Sequence, residues 1–347
     1  MAGLSDLKLA MGTSVFIAGF IFALFLSAIF FIFNFPLVYA IIGTVLFILF
    51  QYLVGPVIVK ATTRMHYLQT GENPWLESTV KDLAEKSGIP MPHLAIVPNN
   101  TPNAFTFGRT SSNATLALHE GLLNNLNEDE VKGVIGHELG HIKHKDYIIM
   151  TVLSALPLIA YYVAQVAFRV GVVGSYSRSR KNEGNAGLVL IAVGVISFVV
   201  YIVSFLAVMR LSRLREHFAD AYSAYLTSSP RSLESGLAKI TYGLSLAPKP
   251  EEAGTARAFF IEDPQMAKQE IQQIMDKKNE YDLDHDGVLD TRELEIAMEK
   301  EAKSTWKQLN TLFATHPPTF KRILLLKEIE NEMQTGRYTG DRIYNHV

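Results

Sequence analysis

Four long apolar runs constrain what this chain can fold into more than any other feature of its 347 residues. Residues 11–33 hold no charged side chain, and a stretch of that length and composition can cross the hydrocarbon core of a bilayer as a helix. After Asn34-Phe35-Pro36 a second run continues to about residue 59, so the first two spans form a tight hairpin. A third run covers 147–173 and a fourth covers 187–209. The third contains Pro157 and Gln165, with Arg169 near its end. Such residues are tolerated in spans packed on protein or beside a cavity. The first run is too long for a cleavable signal and leads straight into another span, so it reads as a retained anchor.

Basic residues near the span ends set the expected orientation. Lys8, Lys60, Arg64, Lys143, Lys145, Arg210, Arg213 and Arg215 fall on one side of a four-span arrangement, together with both termini and the polar domain. Arg178, Arg180 and Lys181 fall on the other side and run against the bias. The excess places the polar domain in the cytoplasm, on a multi-pass protein of the plasma or inner membrane. A net charge of −2 gives no sign of nucleic-acid binding.

Between the second and third runs lies His137-Glu138-Leu139-Gly140-His141. Helical residues four apart share a face, so both imidazoles can reach one metal ion with Glu138 beside it. Two neutral histidines suit zinc, and a carboxylate next to a zinc-activated water makes a metallohydrolase. The preceding Asn127-Glu128-Asp129-Glu130 predicts an Asn cap with Glu130 at the capping-box position. Val131, Val134, Ile135 and Leu139 then give an apolar stripe at helical spacing.

Catalytic zinc takes three protein ligands and leaves one position open. The chain has no cysteine, so the third ligand is His, Asp or Glu, and disulfides and thiol nucleophiles are excluded. Glu216 is the best candidate. Asp220, four residues on and on the same helical face, is placed to hydrogen-bond the far nitrogen of a ligating histidine and fix its tautomer. His217 competes as a ligand but points about 100° away round the helix.

These residues, with His316-Pro317-Pro318 further on, resemble the HtpX-type membrane zinc metalloproteases, which are related to the CAAX prenyl endopeptidases. The resemblance covers nearly the whole chain apart from one acidic segment. It implies His137, His141 and Glu216 as zinc ligands, Glu138 as general base, and a gluzincin-type core. The family's Asn-Ala-Phe element is present as Asn103, Ala104 and Phe105, which would bind substrate. Runs at 94–97, 104–107 and 115–118 predict a small sheet, whose edge strand could hold an extended substrate by main-chain hydrogen bonds. His316 reads as an electrophilic donor to the oxyanion, and Arg322 as a residue that orients its loop or meets a carboxylate. Substrates on this reading are unfolded polypeptides or misfolded membrane proteins, cut in cytoplasmic segments near the bilayer. The role implied is membrane-protein quality control.

The acidic segment reads Asp282-Leu283-Asp284-His285-Asp286-Gly287-Val288-Leu289-Asp290-Thr291-Arg292-Glu293, a match to the twelve-residue EF-hand loop. Asp282, Asp284, Asp286, the Val288 carbonyl, Asp290 and Glu293 would ligate one Ca²⁺. Residues 266–281 predict the helix before it, while Leu294, Ala297 and Met298 line the helix after it. EF-hands usually pair, and one loop is present.

The expected fold is a predominantly α-helical membrane protein, with four transmembrane helices and a gluzincin-type metalloprotease domain bearing a small β-sheet. It divides into a transmembrane hairpin (1–59), a protease segment with the sheet and HExxH helix (60–146), and a second transmembrane hairpin (147–209). A protease segment with the third zinc ligand (210–262), an EF-hand-like insertion (263–305) and a C-terminal helix with the His-Pro-Pro motif (306–347) follow. Two rival functions fit less well. A CAAX-type prenyl endopeptidase would call for a larger enclosing bundle. A calcium-responsive membrane scaffold with structural zinc would have no use for Glu138 or an open fourth position, since closed structural sites are usually Cys-rich.

Overall fold

The computed structural model describes residues 37–176, 186–246, 260–286, 289–302 and 316–338, together with Thr13, Phe16, Gly19 and Phe25. The first expected span, the loop carrying Arg178, Arg180 and Lys181, and loop residues Gly287 and Val288 therefore lie mostly or wholly outside the described residues. Among the described residues three helices are long and apolar enough to cross a membrane. These are α1 (Leu37–Thr63), α5 (Asp146–Tyr176) and α6 (Ala186–Thr227). Along α1, Tyr39, Ile41 and Phe50 stand more than half exposed, which suits a lipid-facing surface.

The described residues form two compact units. One comprises the described residues of 9–55 and 148–211, with a core that includes Leu153, Leu156, Ala160, Val208 and Leu211. The other comprises the described residues of 56–147 and 212–338 and holds the candidate chemistry. Its helix α2 (Pro74–Ser87) starts with an Asn73 cap and Pro74 in the first turn, and ends at Gly88 with φ 63°. That left-handed conformation favours glycine.

The sheet of this unit contains β1 (His66–Tyr67), β2 (His93–Val97), β3 (Ala104–Gly108) and β4 (Ala114–His119), in the order β1-β2-β4-β3. β2 and β4 run parallel, while β3 lies antiparallel to β4 at the sheet's edge. The register pairs Phe105 with Ala117, and the His119 amide donates to Asn103 O at 2.9 Å. Antiparallel pairing alternates, so Phe105 and Phe107 turn their backbone groups to β4, and Ala104 and Thr106 turn theirs outward.

After the short α3 (Glu120–Asn125) comes α4 (Glu128–His144), which packs on β3. Its Asn127 side chain accepts from the Glu130 amide and Glu130 reaches back to the Asn127 amide, each at 2.9 Å. Helix α6 runs unbroken through Glu216 to Thr227, so the fourth apolar run and the third-ligand segment form one helix rather than two. α7 (Pro230–Ser245) follows. The helix expected over 266–281 is split into α8 (Pro264–Asp276) and the short α9 (Lys278–Tyr281). The break lets Tyr281 turn inward: its ring is buried and its hydroxyl donates to Glu301 at 2.7 Å. Glu301 belongs to α10 (Thr291–Ala302), and α11 (Thr319–Gln334) closes the described chain. Ile271, Ile274, Leu294, Ala297 and Met298 share one core with Ala238 of α7 and Phe320 and Ile323 of α11.

Candidate metal centre

The centre depends on two helices approaching closely. A Cβ at Gly136 of α4 would come 2.8 Å from the Ser223 hydroxyl of α6, and one at Gly140 would come 3.2 Å from the Ala219 backbone. Glycine at these two positions brings the helices together, and Ser223 Oγ donates to Gly133 O at 2.6 Å across the contact. The face of α6 carrying Glu216 and Asp220 is thereby set against the histidine face of α4.

His137 Nε2 and His141 Nε2 lie 3.1 Å apart. Glu216 Oε2 is 3.4 Å from His137 Nε2, and Oε1 is 3.6 Å from His141 Nε2. Tetrahedral zinc with ligands at about 2.0–2.1 Å sets its donor atoms about 3.3–3.4 Å apart. The three donors bracket that spacing, so the residues fit the ion. Electrostatics agree. Burial works against charge on His137, yet the Asp220 and Glu216 carboxylates raise it to about 9, so the pocket stabilises positive charge. Glu216 Oε2 is buried without a hydrogen-bond partner, as a ligand atom would be. Glu138 is 3% exposed and neighbours His137 on α4. His217 stands outside this ligand group.

Asp220 Oδ1 lies 2.9 Å from His137 Nδ1. Arg322, wholly buried, grips Asp220 with two bonds, Nη2 to Oδ1 at 2.7 Å and Nε to Oδ2 at 2.8 Å. Its Nη1 donates to Ile261 O at 2.8 Å and to Glu262 Oε1 at 2.9 Å. Burial pushes Glu262 up to about 7 in spite of Arg322. His316 Nδ1 stands 3.4 Å from Glu216 Oε2. Burial opposes charge on His316, but the Glu216 carboxylate outweighs it and holds the ring above its ordinary value.

The Asn-Ala-Phe element leads into the edge strand β3, the strand expected to hold a substrate by main-chain hydrogen bonds, and two of its side chains face the interior. Asn103 Oδ1 accepts from the Ile261 amide at 2.9 Å, and Phe105 is buried with Phe107, Val97 and Ala117. Ala104 and Thr106 turn their backbone groups away from β4, along the free edge of the sheet.

Three residues carry contacts at this centre that no local motif in the sequence marks, Arg215 having been read only as a basic residue at a span end. Glu262 meets Arg322 across a long separation, with no local pattern to mark it. Asp146 Oδ2 lies 2.7 Å from His141 Nδ1, and Arg215 pairs with Asp146 Oδ1. Proximity of Asp146 to the HExxH helix was the available signal.

In the acidic loop, carboxylate oxygens of Asp282, Asp284 and Glu293 gather within 4.8 Å of one another. Glu293 is buried and accepts from the Leu283 amide at 2.5 Å and the Asp290 amide at 3.0 Å. Asp286 and Asp290 are exposed and stand outside this group, and Val288 lies outside the described residues.

Comparison with known proteins gives a consistent match. The family model described as Peptidase family M48 matches residues 70–330. A protease HtpX homolog from Methanothermobacter thermautotrophicus is 40% identical over 210 residues, 60% of this chain and 75% of that protein. Homologs from Thermococcus kodakarensis and Aeropyrum pernix are 34% identical over 263 residues and 31% over 290. These alignments cover 76% of each chain for the first and 82% of this chain and 84% of that one for the second. The crystal structure of S. mikatae Ste24p aligns with TM-score 0.49 at 16% identity, over 93% of this chain and 66% of that one.

Proposed function

Since the chain belongs to peptidase family M48, we propose that this membrane protease is a zinc endopeptidase of gluzincin type. The observation that carries the reading is the spacing of the His137, His141 and Glu216 donors, 3.1–3.6 Å apart, with Glu138 buried beside them. A bound zinc ion would lower the pKa of a water at its open position and polarise the scissile carbonyl. Glu138 takes the proton of the attacking water and returns it to the leaving amine. His316 donates to the oxyanion of the tetrahedral intermediate. The outward amides and carbonyls of Ala104 and Thr106 hold the substrate as an added strand, by main-chain bonds that tolerate varied sequence.

That tolerance suits unfolded polypeptides. Glu216 and Asp146 lie on helices that also carry candidate spans, so cleavage falls near the bilayer and favours misfolded membrane proteins as substrates, in a quality-control role. Purified protein should carry about one zinc per chain and cleave β-casein in preference to a farnesylated CAAX peptide; preference for the latter would move the assignment to prenyl-protein processing. The basic residues at the span ends support a cytoplasmic catalytic domain. A cysteine placed at Ser78 of this Cys-free chain should resist an impermeant maleimide in intact cells, and labelling there would invert the topology.

The acidic loop supports a second site, for one Ca²⁺, through its twelve-residue spacing and the gathering of Asp282, Asp284 and Glu293. An unpaired loop should bind weakly, at about 10⁻⁵ to 10⁻³ M. Calorimetry on the full chain should show calcium heat that Glu293→Gln abolishes. No heat at millimolar calcium would sink the site.

A further inference from the structure

The end of α4 contains a reversal with a chemical consequence. Lys145 adopts φ 58° and ψ 38°, and its amide bonds back to His141 O and Ile142 O. In an unbroken helix Asp146 would stand five residues beyond His141, about 140° round the axis, and the two could not meet. The reversal ends α4 at His144, restarts the chain as α5 at Asp146, and turns the carboxylate back so that Oδ2 lies 2.7 Å from His141 Nδ1. The other oxygen, Oδ1, accepts from Arg215 Nη2, which also donates to His144 O at 3.1 Å. Asp146 and Arg215 are both buried, at 7% and 3% exposure. Arg215 immediately precedes Glu216, so one turn of α6 supplies a metal ligand and also the clamp on another ligand's support.

We infer that Asp146 and Arg215 are positioning residues for His141. Asp146 accepts the hydrogen bond of the His141 Nδ1–H, which keeps the proton on Nδ1 and leaves the Nε2 lone pair for the metal, and Arg215 fixes the carboxylate that does this. Each ligand histidine then has its own carboxylate–arginine support: Asp220 and Arg322 behind His137, Asp146 and Arg215 behind His141. The inference rests on the zinc reading above, and the two fail in different ways.

Full-length Asp146→Ala, Asp146→Asn and Arg215→Lys, purified in detergent, would be titrated with zinc against a chelator and reconstituted with Co²⁺. Asp146→Ala should bind zinc about 10–100-fold more weakly. Asp146→Asn, whose amide oxygen still accepts from Nδ1, should recover part of that loss. Its Co²⁺ d–d bands should shift while circular dichroism and melting stay as in the wild type, a change that a merely structural residue would not produce. Wild-type zinc affinity and cobalt spectrum in a folded Asp146→Ala would overturn the inference; should that variant not fold, the same result in Asp146→Asn and Arg215→Lys together overturns it. A wild-type chain that takes up no zinc overturns the zinc reading first, and this inference with it.

Discussion

Glu138→Gln should copurify with as much zinc as the wild-type chain yet cleave β-casein at least about a hundredfold more slowly. The candidate donor atoms belong to His137, His141 and Glu216, so the substitution leaves the proposed donor set intact. Gln preserves the size of a side chain that is 3% exposed within a capped helix, so the fold should hold. What disappears is the group proposed to accept the proton from the attacking water and deliver it to the leaving nitrogen, and general acid–base groups contribute about 10²–10⁴ in rate. Glu216→Ala makes the contrast, since it should lose zinc and activity together. Zinc content by metal analysis and initial rates on casein separate the two cases. An unimpaired Glu138→Gln rate would remove Glu138 from the mechanism.

The parts of this centre that were legible in the sequence are those specified over one or two helical turns. The Asn127 cap, Glu130 and the four-residue histidine spacing each act locally, and α4 forms as they dictate. The strands were legible for the same reason, apart from β1, whose two residues exist as strand only through pairing with Ala95 and Ile96. The division of α6 at Met209 followed the loss of apolar character there. No Gly or Pro lies between Met209 and Glu216, so the backbone had no reason to stop. Hydropathy marks where a helix could leave the bilayer, not where its hydrogen bonds end.

The illegible parts required a reversal or a distant meeting. Lys145 is not a residue that announces a left-handed conformation, and without it Asp146 faces away from His141. Asn103 illustrates another limit: a polar residue beside a strand can face a substrate or the interior, and here it holds the Ile261 amide. Arg322 was recognisable as a partner for some carboxylate, but pairing with both Asp220 and Glu262 depends on α6, α11 and the segment before α8 all arriving at one point.

Arg322→Ala should be the most destabilising single change in the catalytic unit. The guanidinium is fully buried and answers two buried carboxylates, Asp220 at 0% and Glu262 at 2% exposure. Removing one member of a buried ion pair leaves an uncompensated charge and costs about 3–5 kcal/mol. Arg322→Lys should fall between the two, because an ammonium cannot reproduce the paired grip on Asp220 while also reaching Ile261 O and Glu262. Thermal unfolding in detergent should therefore order wild type above Lys above Ala, and the Ala variant should lose zinc as Asp220 stops holding His137. The pH dependence has a definite sign. Glu262 is raised from 4.5 to about 7 by burial, so its neutral form favours folding, and stability is lost as pH rises through that window. Without Arg322 the penalty on its charged form grows, and the Ala variant should lose most at high pH. Adding Glu262→Gln removes one of the two stranded charges. The double variant should therefore melt above Arg322→Ala alone, a non-additive result expected for groups that share a partner. If the double variant melts lower than the single one, Glu262 is not held in place by Arg322's charge, and the cluster must be balanced by other groups.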